Sequence, residues 1–514
     1  MSRKLSRREF LKLLAGVTPG VYLSRLARRP SRVLPNPNPG NVLIIVFDAL
    51  SARNISLYGY RRNTMPNLAR MAEQATVYHN HYAGGNFTIP GTASLLTGTY
   101  PWTHRAVRLG NTVAPDRREN NIFNLFDGHY RVAYSHNPVA NTHLYYFSND
   151  VDELKPQNEL FVRNDLALDR FIVNDYDLAS VAWERSVKRD EGGYSYSLFF
   201  SNLYEEYGRK KTRELSDLFP LGAPRTGRDN YFLLEQGVDW LLSEVVRLPQ
   251  PFLAYFHFLP PHAPYAPRRD YAGVFRNDGL DHLITKPKSI FSDRKGGSPR
   301  YQSGERQRYD EFILYADGEL GRLYDHLRES RLMENTWIVF TSDHGEMFER
   351  GIYKHGTPVL YEPIVRVPLL ILEPGQERRQ DIYTATSAVD VLQTLAHVTG
   401  QKVPEWVEGE VLPPFSGKTV NENRSVYAVE AKDTKEGKAL SPLTGMVVKG
   451  KHKLTYFSGY SQLGEAREYL ELYDLEQDPE EMNNLYSRQS SLARELREEL
   501  TEKIREADKL YRKK

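Results

Sequence analysis

The sequence predicts an α/β fold with a doubly wound sheet, helices on both faces and a small C-terminal α+β subdomain. Three apolar stretches of strand length run directly into polar residues, at Val42 to Phe47, Pro251 to Phe258 and Trp337 to Phe340. Short, uninterrupted apolar runs are typical of parallel strands covered on both faces. Before the last of them, Tyr309 to Leu327 carries apolar residues at helical spacing. Strand, helix and strand therefore alternate as a doubly wound sheet requires.

The bulk composition limits the possible classes of function. With 514 residues, the chain can bury a large core and is too long for one small domain. The formal net charge is +2, so no general basic field favours nucleic acid, and we expect no nucleic-acid partner. Cysteine is absent, which excludes disulfides, thiolate metal sites and a cysteine nucleophile.

The N-terminus carries an export pattern. Ser6 to Lys12 matches the twin-arginine motif, and Leu13 to Leu23 is a weak apolar segment of signal-peptide length. Such a segment is too short to span a bilayer, which needs about 20 residues. We expect residues 1–30 to engage the twin-arginine export machinery and the protein to be periplasmic or extracellular. A basic amphipathic helix is the alternative, and an uncleaved membrane anchor also stays open because no cleavage site is clear.

Composition divides the rest of the chain. Residues 31–40 form a Pro-rich linker, and 41–415 form the main domain. Four short predicted strands place a subdomain at 416–485, and an amphipathic helix follows at 486–514. Residues 150–235 are polar and tyrosine-rich without a clear period, and we interpret them as an insertion that borders the active site.

Polar residues follow each of the three predicted strands. They are Asp48 after the first strand, His262 after the second, and Asp343 with His344 after the third. Open α/β sheets place ligands beyond the carboxyl ends of their strands. Aspartate oxygen and histidine nitrogen are donors that suit zinc or manganese, with calcium or magnesium also possible. Helix capping is the competing interpretation of Asp48. His257 lies inside a strand and is expected to be a core histidine.

A glycine-rich loop places a hydroxyl near a helix start. Pro90 suits a first helical turn and Gly98 a helix end, so Thr88 should lie at or just before a helix N-terminus. A hydroxyl there faces free N–H groups and the positive end of the helix dipole, which favours an oxyanion. The alternative is that Thr88 only caps the helix.

Together these segments resemble the sulfatase family within the alkaline phosphatase superfamily. The matching blocks follow the family's order between residue 41 and about residue 485. They are Asn41 to Asp48, Thr88 to Pro101 with His104, Pro261 to Tyr265, Thr341 to Glu346, Val367 to Ile371, and Tyr473 to Glu481 with Asn484 and Leu485. The resemblance implies an alkaline-phosphatase-like sheet and makes 41–415 a sulfatase-like catalytic domain.

The sequence departs from the family at the nucleophile. Sulfatases use a formylglycine made from Cys or Ser, with an arginine two places beyond the proline, whereas this chain has Thr88 and Thr92. A threonine cannot become formylglycine, so we expect none. In having an unmodified threonine at the nucleophile position, the chain resembles phosphoethanolamine transferases and lipoteichoic acid synthases. Asp48 is followed by Ala49 where many sulfatases have a second aspartate. This single aspartate is similar to the sites of phosphonate monoester hydrolases and of the transferases with a threonine nucleophile.

The resemblance also implies roles for individual residues. It implies one divalent metal ion held by Asp48, Asp343, His344 and the oxygen of Thr88. It assigns His262 to the substrate side, and the stretch Gly351 to Gly356, similar to phosphoethanolamine transferases, assigns His355 there too. Lys354 either neutralises charge in the reaction or is an exposed, solvated residue.

The sequence therefore predicts an exported, metal-dependent, sulfatase-like hydrolase of phosphate mono- or diesters with a threonine nucleophile. Three alternatives stay open, namely a sulfuric ester hydrolase of unusual type, a phosphoethanolamine-type transferase and a non-catalytic binding protein. Such transferases often carry several membrane helices, and the lack of these in the sequence favours the hydrolase. The substrate is an ester of a small molecule, a glycan or a lipid head group, and the sequence gives no indication of oligomeric state.

Overall fold

The computed structural model describes residues 40–163, 203, 206–207, 210, 213–226, 230–280, 286–292, 296–431, 439–509 and 511. The predicted export segment, most of the linker and much of 150–235 lie outside these residues. The strands are β1 (Asn41–Phe47), β2 (Thr76–Tyr78), β3 (His81–Tyr82), β4 (Tyr130–Ser135), β5 (Glu153–Leu154), β6 (Phe161–Arg163), β7 (Tyr231–Phe232), β8 (Phe252–Phe258), β9 (Thr336–Thr341), β10 (Leu369–Leu372), β11 (Gln380–Ile382), β12 (Thr386–Ser387), β13 (Ser425–Ala431), β14 (Leu443–Lys449), β15 (His452–Ser458) and β16 (Glu468–Asp474). The α-helices that the structure describes in full are α1 (Pro66–Ala72), α2 (Thr88–Thr97), α3 (Pro101–His104), α4 (Ile122–Leu125), α5 (Pro138–Tyr146), α6 (Leu234–Val245), α7 (Pro299–Glu329), α8 (Glu362–Val365), α9 (Val389–Val398) and α10 (Ser490–Lys509).

The central sheet has eight strands in the order β11-β2-β10-β9-β1-β8-β4-β5. Strands β9, β1, β8, β4 and β5 are parallel to one another. Strand β10 runs antiparallel to β9 and to β2. In the register, Val46 of β1 lies level with both His257 of β8 and Thr341 of β9. The carboxyl ends of these central strands therefore emerge at one edge of the sheet, as predicted.

Apolar layers cover both faces of this sheet, which confirms the predicted fold class. Strand β1 alternates between them, with Leu43 and Ile45 on one side and Val42 and Ile44 on the other. The first layer packs against α1, α6 and α7, and the second against α2, α5 and α9. Burial on both faces explains why the strand is apolar throughout.

Helix α7 begins ten residues before the predicted start at Tyr309. Ser298 caps it by accepting a hydrogen bond from the Tyr301 amide at 3.2 Å, and Pro299 occupies the first turn. Apolar spacing could not reveal this beginning because Pro299 to Arg308 is polar and charged.

The C-terminal region forms a four-stranded antiparallel sheet in the order β13-β14-β15-β16. All four predicted strands are present, and each is longer than its apolar run. Helix α10 packs on this sheet through buried Leu496 and Leu500, with Gly445 of β14 directly beneath Leu500 and Ile504. Within the described residues the helix spans Ser490–Lys509, so it begins four residues after the predicted start at 486. Residues 510 and 512–514 of the predicted range 486–514 lie outside the described residues. No described helix is long and apolar enough to cross a bilayer.

Candidate active site

Side chains from four strand ends meet at the carboxyl edge of the central sheet. Asp48 follows β1, and Asp343 and His344 follow β9. The chain turns sharply after Asp48, where Ala49 adopts a φ of 59° and its amide donates to Asp343 Oδ1 at 3.2 Å. Helix α2 packs closely against the backbone at Asp343. A Cβ on Gly91 would lie only 2.1 Å from the Asp343 carbonyl oxygen. Glycine at this position lets the start of α2 reach the cluster.

Asp48, Asp343 and His344 form a buried cluster suited to a cation. One ligand atom from each lies within 4.8 Å of the others. His344 Nε2 is 3.6 Å from both Asp48 Oδ1 and Asp343 Oδ2, and neither oxygen has a hydrogen-bond partner among the described residues. His344 Nδ1 donates to the Gly345 carbonyl at 2.8 Å, so the Nε2 lone pair faces the carboxylates. Orphaned carboxylate oxygens beside an imidazole lone pair fit a divalent ion.

The electrostatics of the cluster agree with this interpretation. Burial raises the pKa of Asp343, and the neighbouring Asp48 carboxylate raises it further. Burial also opposes ionisation of Asp48, but His262, His257 and His344 together hold its pKa below the usual range. Two close buried carboxylates repel each other, and a bound cation would offset that repulsion.

Thr88 is the first residue of α2 and lies beside the cluster. Its side chain is nearly buried, and Oγ1 lies 3.4 Å from His344 Nε2 and 3.3 Å from Asn137 Nδ2. The N-cap position belongs to Phe87, so the alternative that Thr88 only caps the helix is wrong. Its hydroxyl is directed to the predicted metal ligands.

Asn137 is a site residue that the sequence analysis missed. It follows β4, a strand that was not recognised. Its Oδ1 caps α5 by accepting from the Val139 amide at 2.7 Å, and its Nδ2 donates to Asp48 Oδ2 as well as to Thr88. The signal was the apolar run Val132 to Tyr134 followed by polar residues and a proline, the same pattern that marks the other strand ends.

His257 is a core histidine, as predicted, and it also contacts the cluster. It is buried with partners on both ring nitrogens, as expected of one, but Nε2 is 3.0 Å from Asp48 Oδ2. An ionised carboxylate can only accept, so Nε2 donates to Asp48, and in the neutral ring Nδ1 accepts from the Tyr255 hydroxyl at 3.1 Å. His257 therefore orients a predicted metal ligand. The predicted core position is confirmed, but the contact with Asp48 was not predicted, because the registers of neighbouring strands are invisible in the sequence.

The predicted substrate-side histidines lie next to the cluster. The ring of His355 is 4.4 Å from that of His344 and 5.0 Å from that of His262, measured between centroids. His355 Nδ1 bonds to Glu346 Oε1 at 2.9 Å. Burial lowers the pKa of His355, but the charge of Glu346 overcomes this and raises it. His262 Nδ1 donates to the Ala263 carbonyl at 2.7 Å, which leaves Nε2 unprotonated in the neutral ring.

Glu346 is the third residue that sequence reasoning missed. It is fully buried, and its second oxygen accepts from the Tyr265 hydroxyl at 2.8 Å. Glu346 lies in the matching block Thr341 to Glu346, but nothing in the sequence indicates that it contacts His355, nine positions later.

A cavity of about 910 Å³ opens above these groups. Its wall is lined by Thr88, Asn137, His262 and His355. Lys354 also lines the cavity and is half-buried, with Nζ 4.9 Å from the centroid of the Tyr265 ring. The structure therefore brings together every predicted site residue, with Asp48, Asp343 and His344 at the base.

Comparison with known proteins agrees with this arrangement. The Sulfatase family model matches residues 40–401, and the model of the N-sulphoglucosamine sulphohydrolase C-terminal region matches 349–509. The uncharacterized sulfatase YidJ of Escherichia coli K12 is 23% identical over 72% of this chain and 70% of its own. An arylsulfatase of Clostridium perfringens is 23% identical over 87% of this chain and 90% of its own.

Solved structures share the fold. The phosphonate monoester hydrolase SpPMH from Silicibacter pomeroyi superposes with a TM-score of 0.62 at 19% identity, over 91% of this chain and 95% of that one. The family model covers well over half of the present chain. The chain thus belongs to the sulfatase family within the alkaline phosphatase superfamily, and it is a hydrolase that acts on ester bonds.

Proposed function

We propose that the protein hydrolyses phosphate mono- or diesters through Thr88 as nucleophile, with one divalent metal ion held by Asp48, Asp343, His344 and the Thr88 oxygen. The observation that carries the proposal is the position of Thr88 Oγ1, 3.4 Å from His344 Nε2 and open to the cavity. Zinc or manganese suits the mixed oxygen and nitrogen donors best.

Phosphorus is preferred over sulfur as the atom attacked. The sulfatase route depends on formylglycine, which Thr88 cannot supply, and Thr92 replaces the arginine that sulfatases carry. Sulfate ester hydrolysis is the second candidate, because an arylsulfatase matches 87% of the chain.

The residues of the chain can perform both halves of the reaction. A bound divalent ion would lower the pKa of the Thr88 hydroxyl and offset charge on the phosphoryl oxygens. His262 Nε2 can accept the Thr88 proton, directly or through water, as Oγ1 bonds to phosphorus. His355, held by Glu346, donates a proton to the departing ester oxygen as its bond to phosphorus breaks. Lys354 adds positive charge at the cavity wall.

In the second half, water attacks phosphorus and the bond to Thr88 Oγ1 breaks. Neutral His355 takes a proton from that water, and His262 returns its proton to Oγ1. Phosphate, or a phosphate monoester from a diester, is released and the starting protonation states are restored. Attack by a second alcohol instead of water would give the transferase alternative.

Peptide mass spectrometry of Thr88 tests this proposal. Metal-loaded protein is incubated briefly with aryl phosphate mono- and diesters and, separately, with an aryl sulfate. We expect a phosphoryl adduct on Thr88 that is lost in Thr88→Ala and in Asp343→Ala. An adduct or turnover with the aryl sulfate alone would instead establish the sulfatase. The absence of turnover and metal binding would favour a binding protein.

A second variant tests the substrate-side assignment. His262→Ala should lose about 100-fold or more in kcat, since removing one well-placed electrostatic group typically costs this much. The matched control is His129→Ala, a buried histidine at the opposite end of β4 that contacts the Gly40 carbonyl. Near-normal turnover by folded His262→Ala would contradict its role.

We further propose export through the twin-arginine route, on the basis of Ser6 to Lys12. Replacing Arg7 and Arg8 with lysine should retain the protein inside the cell. Unchanged export of that double variant would contradict the proposal.

A further inference from the structure

The cavity above Thr88 has an apolar wall that the proposed chemistry does not use. Its volume of about 910 Å³ is near the upper end of ligand sites and far exceeds a phosphoryl group. Phe87, Val107, Leu109, Val139, Leu259 and Pro264 are among the residues that line it. Leu109 is 67% exposed, so a ligand that covered it would remove a large aliphatic side chain from water.

The same wall carries an excess of positive charge. Arg108, Arg225 and Lys354 line the cavity, and none of its described lining residues is an aspartate or glutamate. None of the three cations lies within 4 Å of a carboxylate oxygen of a described residue. Among the described residues, the side-chain partner of Arg108 is an amide, since Arg108 Nε donates to Asn111 Oδ1 at 3.1 Å. These cations can therefore pair with an anion on the ligand.

Groups that could bind sugar hydroxyls are few in this wall. Beyond the proposed catalytic residues, the polar uncharged side chains among the described lining residues are Asn137, Thr226 and Tyr353, and Tyr353 offers one hydroxyl on a largely apolar ring. Asn137 already caps α5 and bonds to Asp48 and Thr88. A site built from apolar surface gains little from hydroxyl groups, which lose water without finding partners.

We propose that the cavity selects esters whose organic part is apolar and carries a second negative charge away from the reacting phosphorus. The inference rests on the proposed function and names its substrate class. The apolar wall holds the carbon chain, and the arginine pair Arg108 and Arg225 binds the remote anion. Unsubstituted sugar phosphates are excluded from the class.

Kinetics with matched substrates tests the class. The three substrates are phenyl phosphates that carry a pentyl chain at the para position. The chain ends in methyl in the first and in carboxylate in the second, and it bears hydroxyl groups in the third. Their phenol leaving groups are nearly equal. We expect kcat/KM to be roughly 5-fold higher for the carboxylate than for the methyl ending, as one partly exposed ion pair allows, and lowest for the hydroxylated chain. The preference for carboxylate should shrink at high salt. Equal rates for all three, or preference for the hydroxylated chain, would overturn the inference.

Variants assign the preference to the arginines. Arg108→Gln with Arg225→Gln should abolish the difference between carboxylate and methyl endings. The control is Arg247→Gln, an exposed arginine that does not line the cavity, and it should keep the difference. A preference that survives the double substitution would remove these residues from the proposal.

Equilibrium binding separates this inference from the proposed function. Calorimetry of metal-loaded protein with phenylhexanoate, a non-reacting apolar anion, should show binding that the double arginine variant weakens. If no ester is hydrolysed but phenylhexanoate binds in this way, the cavity assignment stands and the proposed function fails. If esters are hydrolysed without preference and phenylhexanoate does not bind, the proposed function stands and the cavity assignment fails.

Discussion

Asn137 Nδ2 lies 3.3 Å from Thr88 Oγ1 and joins the end of β4 to the start of α2. The direction of this amide is fixed, because Oδ1 is occupied by the Val139 amide at 2.7 Å. The nitrogen must therefore face Asp48 and Thr88, where it can only donate. Asn137 thus orients the hydroxyl and one carboxylate rather than serving as a metal ligand.

Replacing this amide should impair catalysis more than folding. Asn137→Ser keeps a side-chain oxygen that can cap α5 but removes the donor to Thr88. We expect kcat to fall roughly 10- to 100-fold, as for the loss of a group that orients a reacting side chain. Steady-state kinetics and metal content are measured on the same sample.

Asn121→Ser is the matched control for this substitution. Asn121 also caps a helix, accepting from the Asn124 amide at 2.9 Å, but it lies outside the cavity. It should lose stability without a selective loss of kcat. Equal kinetic effects in the two variants would show that Asn137 acts through stability alone.

Removing the His257 donor should weaken metal binding. His257→Phe leaves Asp48 Oδ2 without the 3.0 Å contact from Nε2. Groups that orient metal ligands typically contribute 10- to 100-fold in affinity, and we expect a loss of about that size. His257→Gln, which retains a donor, should recover part of it.

Titration of metal in chelator buffers measures these affinities. His129→Phe removes a buried histidine far from the site and serves as the control. An unchanged metal affinity in His257→Phe would contradict an orienting role.

The parts of this molecule that the sequence predicted are those encoded locally. Strands β1, β8 and β9 contain apolar runs, and Asp48 and Asp343 come at or just after the ends of two of these strands, so their common edge could be inferred. Thr88 was found through Pro90 and Gly98, which mark the two ends of α2. Each of these signals lies within a short stretch of sequence, because it depends on one element of secondary structure.

The residues that were missed depend on contacts between elements. His257 contacts Asp48 because β8 pairs with β1 in one register, and a different register would have buried it elsewhere. Glu346 reaches His355 through a loop whose path carries no periodic signal. The antiparallel direction of β10 is likewise set by its neighbours rather than by its apolar sequence.

A buried ion-pair cluster links the C-terminal sheet to α8 and should dominate local stability. Lys453 of β15 is fully buried, with Nζ 3.0 Å from Glu362 Oε1 and 2.9 Å from Glu481 Oε1. Lys453→Met would leave two buried carboxylates facing each other without a cation. We expect a loss of about 3–5 kcal/mol in the free energy of unfolding, measured by urea denaturation.

The neighbouring Lys451 gives a matched control. It pairs with Asp474 and Glu476 but is 44% exposed, so Lys451→Met should destabilise the protein far less than Lys453→Met, because solvent screens an exposed ion pair. Similar losses for the two lysines would show that burial does not determine the contribution of Lys453.

Glu471 should make the stability of the C-terminal sheet depend on pH. Its side chain is buried on β16 and accepts from the Tyr361 hydroxyl at 3.0 Å. Burial raises its pKa from 4.5 to about 7, against the opposing effect of the Tyr361 hydrogen bond. The folded protein therefore keeps this proton up to about pH 7, whereas the unfolded chain releases it near pH 4.5.

The sign of the effect follows from this difference. Between these two pH values the folded state binds more protons, so the free energy of unfolding falls as pH rises and levels off above pH 7. A shift of this size corresponds to a loss on the order of 3 kcal/mol. Glu471→Gln should remove this part of the decline, because a neutral amide fits the same environment at every pH. Asp317 and Glu319, whose pKa values burial also raises, keep their own contributions. Urea denaturation at pH 5 and pH 8 measures the decline, with exposed Glu476→Gln as the control. A decline in Glu471→Gln as steep as in the unaltered protein would assign the pH dependence to other groups.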